Sequence, residues 1–454
     1  MARRISLPRL TQRQRSARWQ RERRQQAVII TVFSAVLFFS VGLVAWAATD
    51  RFYGENLKPA VKIDGRAYAM RDYKRELGFQ YVRFYIDYGV PPGYENDPQI
   101  AQQKGSYDAI ALEALVEQNL LDQSARADAI TVTSDQIADR YVADFGEYHA
   151  RHVLITPKPL GDGADATANA DQTALAKARA VADQLKQSPG DQRLWNQLAS
   201  QYSDDPGSKA SGGDLGFVGK GQFVKEFEDA IRAMQPGQVS DPVKSQYGYH
   251  VIQLIEYRSP GESVFVQRAS KYGYNEDDIK AHVRYDILRD EYTKRAKERS
   301  VQSPAEQVHL AWVAVGSPRV SGGDFQAFTD QLKKVSDIQK AIDDGTDFAE
   351  IAKKYSEDSA TSDKGGDLGW FTRGMITRLS IEKDVFSLEK DKVSAQRSDA
   401  SQTVWYKVLE KDASRAIDDD QKKKISDQAY SYWYQQVKAA HDIQKLVPGH
   451  ELDT

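Results

Sequence analysis

The sequence predicts an α+β chain: an N-terminal transmembrane helix, a small helical domain, two tandem copies of a compact α+β domain, and a C-terminal helix. Three observations predict it. An uncharged run follows an arginine-rich tail, a set of short motifs recurs 153 residues downstream, and apolar residues at helical spacing fill the stretches around the repeats. At 454 residues the chain has room for two or three domains, each with its own core. It has no cysteine, which excludes disulfide frameworks, Cys-ligated zinc, iron–sulfur clusters and thiol nucleophiles.

The formal net charge of −3 conceals a segregation. Residues 1–26 hold nine Arg and one Glu, a local charge of +8, which leaves 53 basic and 64 acidic residues in the remainder, or −11. Residues 27–48 (Ala27 to Ala48) then run for 22 residues without a charge. As a helix this run is about 33 Å long, against roughly 30 Å of bilayer hydrocarbon. The arginine-rich side belongs in the cytoplasm, which places the bulk of the chain outside it. A cleaved signal peptide would explain the small residues Ala45, Ala47 and Ala48, but its apolar core is ordinarily only ~7–15 residues long. A nucleic-acid-binding arm is disfavoured because the apolar span follows the basic tail directly, so no nucleic-acid partner is expected.

Residues 56–145 read as the helical domain. Val61 to Asp64 forms a short strand ending at Gly65, and Tyr73, Leu77, Tyr81, Phe84 and Tyr88 then follow on one helix face. Leu112, Leu115, Val116, Leu120 and Leu121 mark a second helix, and Thr133 with Gln136 has the spacing of a capping box that opens a third.

The repeat comes next. Tyr202-Ser203-Asp204-Asp205 returns as Tyr355-Ser356-Glu357-Asp358, and Gly212-Gly213-Asp214-Leu215-Gly216 returns as Gly365-Gly366-Asp367-Leu368-Gly369. Each copy opens on a strand that carries a His (His152; His309), passes through helices and a Gly-Gly-Asp-Leu-Gly loop, and closes on a last strand able to pair with the first. The copies are assigned to residues 146–257 and 305–411, joined by a helical connector over 258–304 with Ile279, Val283, Ile287 and Leu288 on one face. Within 412–454, Asp418 to Val447 reads as one helix bearing Ile425, Tyr432, Trp433, Val437 and Ile443. So many bulky apolar residues require a partner surface, expected to be the N-terminal helices.

These motifs resemble the parvulin family of peptidyl-prolyl isomerases. The resemblance rests on His152, the Tyr-Ser-Asp-Asp turn, Gly-Gly-Asp-Leu-Gly, Gly221-Gln222-Phe223 through Phe227-Glu228-Asp229-Ala230, and Tyr247-Gly248-Tyr249-His250-Val251-Ile252. The whole order of segments is similar to the membrane-anchored foldases of bacterial envelopes. That likeness implies a chaperone-like role for residues 56–145, with the C-terminal helix packed on them. It also implies exported, unfolded polypeptides with X–Pro bonds as partners, and proline isomerisation as the activity. By the resemblance, His152 and His250 sit together on neighbouring strands with Asp205 and Tyr247 beside them. Phe223 and Phe227, four apart on a short helix, supply an apolar cup for the proline ring together with Met234.

The chemistry needs no metal and no cofactor, because the barrier is amide resonance of about 18–20 kcal/mol rather than a bond to be broken. The His149-x-x-His152 spacing has no third metal ligand near it in sequence. A non-catalytic holdase that grips unfolded chains is the alternative function. Copy two departs from the pattern. It keeps His309 and Asp358, but Val404 matches His250, Ser401 matches Tyr247, and Ile376 and Ile381 fall at the cup. It is expected to keep the fold with little or no isomerase activity, and to bind peptide or space the domains. Lys158 is the only basic residue between Thr156 and Thr173, so no phosphopeptide preference is expected.

Overall fold

The computed structural model describes residues 12–91, 93–95, 97–159, 164–300, 302–318, 325–399 and 401–447; the first eleven residues of the basic tail lie outside the described residues. The chain divides into two compact units, one made of residues 1–80, 102–115 and 442–454, the other of 81–101 and 116–441.

The first unit begins with helix α1 (Gln12–Phe52), which continues the helix of the basic tail through the apolar run without a break. Among the described residues one helical stretch, Val36–Leu57, is long and apolar enough to cross a membrane, and none of it is buried. Strands β1 (Pro59–Ile63) and β2 (Arg66–Ala69) form a hairpin whose turn holds Asp64 and Gly65 at positive φ. Helix α2 (Met70–Asp87) follows.

The helical stretch continues with α3 (Pro98–Lys104), α4 (Tyr107–Ala127) and α5 (Ser134–Phe145). The capping box expected at Thr133 and Gln136 is formed in both directions and starts α5. The five apolar residues expected on one face of α4 are all buried.

The first repeat consists of β3 (Glu147–Ile155), α6 (Ala164–Gln187), α7 (Gln192–Tyr202), β4 (Asp214–Val218), α8 (Lys225–Arg232), β5 (Val243–Ser245) and β6 (Gly248–Arg258). Its strands form one antiparallel sheet in the order β4-β3-β6-β5. Side chains alternate across this sheet. Val153, Ile155, Tyr249 and Val251 face α6 and α7 and close a core with Trp195 and Leu198. Ala150, Ile252 and Leu254 face the other way, onto Phe227 and Ile231 of α8. Asp214 to Gly216, expected as loop, lie in edge strand β4, which runs on to Val218. Gly212 and Gly213 turn the chain ahead of it at positive φ, and Gly216 within the strand is at positive φ as well.

Helices α9 (Val264–Lys271) and α10 (Glu276–Glu298) connect to the second repeat. That repeat runs β7 (Ala305–Gly316), α11 (Phe325–Asp343), α12 (Phe348–Tyr355), β8 (Asp367–Thr372), α13 (Leu379–Ser387), β9 (Arg397–Ser398) and β10 (Gln402–Arg415). Its sheet order, β8-β7-β10-β9, is that of the first repeat. Helix α14 (Asp419–Ala439) follows, opened by a capping box at Asp418 and Gln421. It is shorter than the sequence suggests. Ile443–Lys445 forms strand β11, which pairs antiparallel with β1 through Val61↔Lys445 and Ile63↔Ile443. Pairing satisfies the backbone groups on the otherwise open side of β1, which a longer helix would leave bare.

Gly213 has the tightest backbone position beside the first sheet. Its φ is +84°, and a Cβ there would lie 2.0 Å from the carbonyl oxygen of His152. Gly213→Ala should lower the urea midpoint of the first domain by the equivalent of about 3 kcal/mol. Gly221→Ala, also at φ +84° but facing open space, should cost only about 1–2 kcal/mol. Equal losses would show that the close approach to His152 is not what requires glycine.

Candidate active site

Register brings the two histidines together. In the β3–β6 ladder His152 pairs with Ile252 and Leu154 with His250, so His152 and His250 are diagonal neighbours on the α8 side of the sheet. Their rings are nearly parallel at 17°, with Nδ1 of one 3.1 Å from Nδ1 of the other. Both side chains are buried. His152 Nε2 lies 2.9 Å from Asp205 Oδ2, and His250 Nε2 lies 2.7 Å from Ser245 Oγ. Asp205 is held in the turn after α7, where Oδ1 accepts from the Gly207 N–H and Oδ2 accepts from Ser208 Oγ.

These bonds fit together in one direction. Partial burial would raise the Asp205 carboxyl, but hydrogen bonds from His152, Ser208 and the Gly207 N–H outweigh it and bring it down to about 2. Asp205 is therefore an acceptor, and His152 Nε2 carries the proton. Burial holds His152 below its usual range despite Asp205. Burial, and then the neighbouring His152, take His250 down to about 4. With both rings neutral, His152 Nδ1 must accept, so His250 Nδ1 donates to it and His250 Nε2 accepts the Ser245 hydroxyl proton. Ser245 Oγ in turn accepts the Tyr247 N–H at 3.1 Å. All four ring nitrogens are committed, which leaves neither imidazole free to act as a nucleophile or general base.

Phe227 lies beneath this pair, fully buried and edge-on to both rings. Phe223 stacks on Phe227 with centroids 4.8 Å apart. It precedes α8 rather than lying on it, and the Glu228 carboxylate accepts the Gly221 and Phe223 N–H groups to hold that loop. The two phenylalanines, the histidines, Leu154, Asp205 and Tyr247 line a cavity of about 720 Å³. A cavity of that size and lining can hold a proline ring and the peptide units beside it.

Two expectations change here. Met234 belongs to the apolar cluster behind Phe227 and does not line the cavity. Tyr247 is at the cavity mouth with its ring exposed, and it joins the histidine chain through its backbone N–H, not its hydroxyl. Ser245 and Ser208 complete the bonding, and sequence inspection missed both. Ser208 lies three residues after Asp205, the spacing at which a hydroxyl reaches back to an Asp in a turn.

The second copy differs more than expected. His309 is not the counterpart of His152. Like His149, it bonds the Asp of the Gly-Gly-Asp-Leu-Gly motif: His149–Asp214 at 2.9 Å and His309–Asp367 at 2.7 Å, and each ring packs against the following aromatic, tilted on Phe217 and stacked on Trp370. The counterpart of His152 is Trp312. Its N–H donates to Gly366 O at 2.9 Å as that of His152 does to Gly213 O, and its indole N–H donates to Asp358 as His152 bonds Asp205. Seven fewer residues separate the first strand from the turn in copy two, which displaces the alignment of that strand from the 153-residue repeat.

A neutral buried imidazole ties stability to pH. The folded value for His250 is about 4, below the ordinary 6.5, so the unfolded chain takes up protons first as pH falls. The stabilisation is complete above about pH 7 and is lost as pH drops through 6.5 towards 4, with a loss on the order of 2 kcal/mol by about pH 5. The urea midpoint of the first domain should fall over this range in the wild type and fall by less in His250→Asn. Parallel pH slopes would refute the neutral pair.

Comparison with known proteins assigns both repeats to one kind of domain. Residues 152–256 and 296–409 each match a model of the PPIC-type PPIase domain. The foldase protein PrsA of a Geobacillus species is 38% identical over 157 residues, covering 35% of this chain and 48% of its own. The chaperone SurA of Nitrosococcus oceani is 30% identical over 250 residues, covering 55% and 45%. The solved parvuline of Nitrosopumilus maritimus is 32% identical, covers 24% of this chain and 97% of its own, and has a TM-score of 0.19. The chain spans about half the length of these two curated relatives. It carries two PPIC-type peptidyl-prolyl isomerase domains in tandem and is a homologue of the PrsA and SurA foldases.

Proposed function

We propose that the protein is a membrane-anchored peptidyl-prolyl cis-trans isomerase and chaperone that assists exported proteins at the outer face of the cytoplasmic membrane. The observation that carries the reading is the His250–His152–Asp205 chain of bonds set over the Phe223–Phe227 cavity. The proline ring packs on Phe223 and Phe227, and the apolar wall removes water from the amide. A planar amide is charge-separated and depends on solvation, so desolvation favours the twisted, less polar transition state. The committed histidine pair keeps the floor of the cavity rigid and neutral.

The anchor is helix α1, with the arginine-rich tail in the cytoplasm and the two isomerase domains outside. Residues 56–145 act as the chaperone-like part, and the exposed Tyr88 and Tyr94 offer them an aromatic surface for unfolded chains. That surface is what favours the second reading, a holdase that needs no catalysis.

Phe223→Ala and His250→Ala should each reduce turnover of a proline tetrapeptide at least a hundredfold, and His309→Ala should leave it within twofold. Suppression of aggregation should persist in all three. Full turnover in Phe223→Ala would remove the isomerase assignment and leave the holdase.

A further inference from the structure

The second domain retains the architecture of the first but has a different interior. Where the first domain's cavity has His152, the second domain has Trp312, a larger and partly buried side chain. The Trp312 indole N–H donates to Asp358 Oδ2 at 2.9 Å and lies 3.0 Å from Thr361 Oγ1, so the Asp–hydroxyl pair that holds a histidine in the first domain holds an indole here. Ile376, Ile381, Val404 and Tyr406 pack in the same apolar cluster as Trp312.

The outer side of this domain meets α14. The amide of Gln421, at the start of α14, donates to Gln307 Oε1 and to Trp370 O, each at 3.0 Å, and both glutamines are buried. Tyr432 donates to the buried Glu382 at 2.7 Å, and Ile425 packs with Met375 and Ile417. Residues 421, 425 and 432 fall on one face of the helix, while Tyr430 and Trp433 fall well round it. Trp433 stacks on Tyr292 of α10 with centroids 4.3 Å apart, and Tyr430 bonds Glu117 of α4. Helix α14 thus has two occupied faces. One is held by the second isomerase-type domain, and the other packs on the α4–α10 pair.

We infer that the second domain has exchanged proline binding for a holding role: its site is closed from within by Trp312, and its surface clamps α14 against the helices. The closed-site half rests on the reading of the first domain's cavity as the proline site; the clamping half does not. Buried ties of this kind set the local opening free energy of the helix they hold.

Hydrogen exchange on the full chain in detergent tests both halves. A proline tetrapeptide should slow exchange around residues 221–227 and 245–250 and leave 308–316 and 376–381 unchanged. Tyr432→Phe, which removes one oxygen and keeps the ring, should speed exchange in α14 about tenfold while the peptide's effect on the first domain persists. Peptide protection around Trp312, or unchanged exchange in α14, would overturn the inference. Protection in neither domain together with a loosened α14 would sink the isomerase reading and support the clamp.

Discussion

The pairing register of β3 with β6 is the constraint on which the site depends. Strand side chains alternate, so a slip of one residue would turn His250 to the α6–α7 core and bring Tyr249 or Val251 to the cavity. The native register puts His152, His250 and Ile252 on one face and Val153, Tyr249 and Val251 on the other. Two desolvated imidazoles are tolerable there because each nitrogen finds a partner. Without Asp205 and Ser245 at the ends of the chain, the same pair would bury unsatisfied polar groups.

The two domains allow architecture to be separated from chemistry within one molecule. Each retains the His–Asp bond that fastens its Gly-Gly-Asp-Leu-Gly turn, an aromatic packed against that His, and an arginine over the aromatic: Arg258 on Phe217 and Arg415 on Trp370. Each also retains an Asp bonded to a hydroxyl three residues on. These features accompany the sheet. The paired imidazoles and stacked phenylalanines occur in the first domain alone, where the cavity is open. His309 therefore marks shared architecture, although its place on an opening strand suggested a relic of catalysis.

Much of this was legible from the residues. Helical spacing located the apolar face of α4, Thr133 and Gln136 marked the start of α5, and the duplicated motifs pointed to two like domains. The resemblance carried by the motifs placed His152, His250 and Asp205 together. The rest depended on contacts distant in sequence. Strand β11 owes its form to pairing with β1, almost 400 residues earlier, and its three residues have no strand pattern strong enough to show alone. Trp312 was hidden because copy two's first connection is seven residues shorter, so its opening strand lies 160 residues on rather than 153, and His309, the histidine on that strand, stands as the apparent match to His152. The exclusion of Met234 followed from packing, since its position behind Phe227 is set by the turn after α8.

The central claim is that the histidine pair is neutral and fully committed, with protons on His152 Nε2 and His250 Nδ1. Long-range nitrogen–proton correlation NMR of the imidazole rings at neutral pH tests it most directly. The account predicts a protonated Nε2 and bare Nδ1 for His152, and the reverse for His250. A doubly protonated ring at either position, or both rings in the same tautomer, would contradict it.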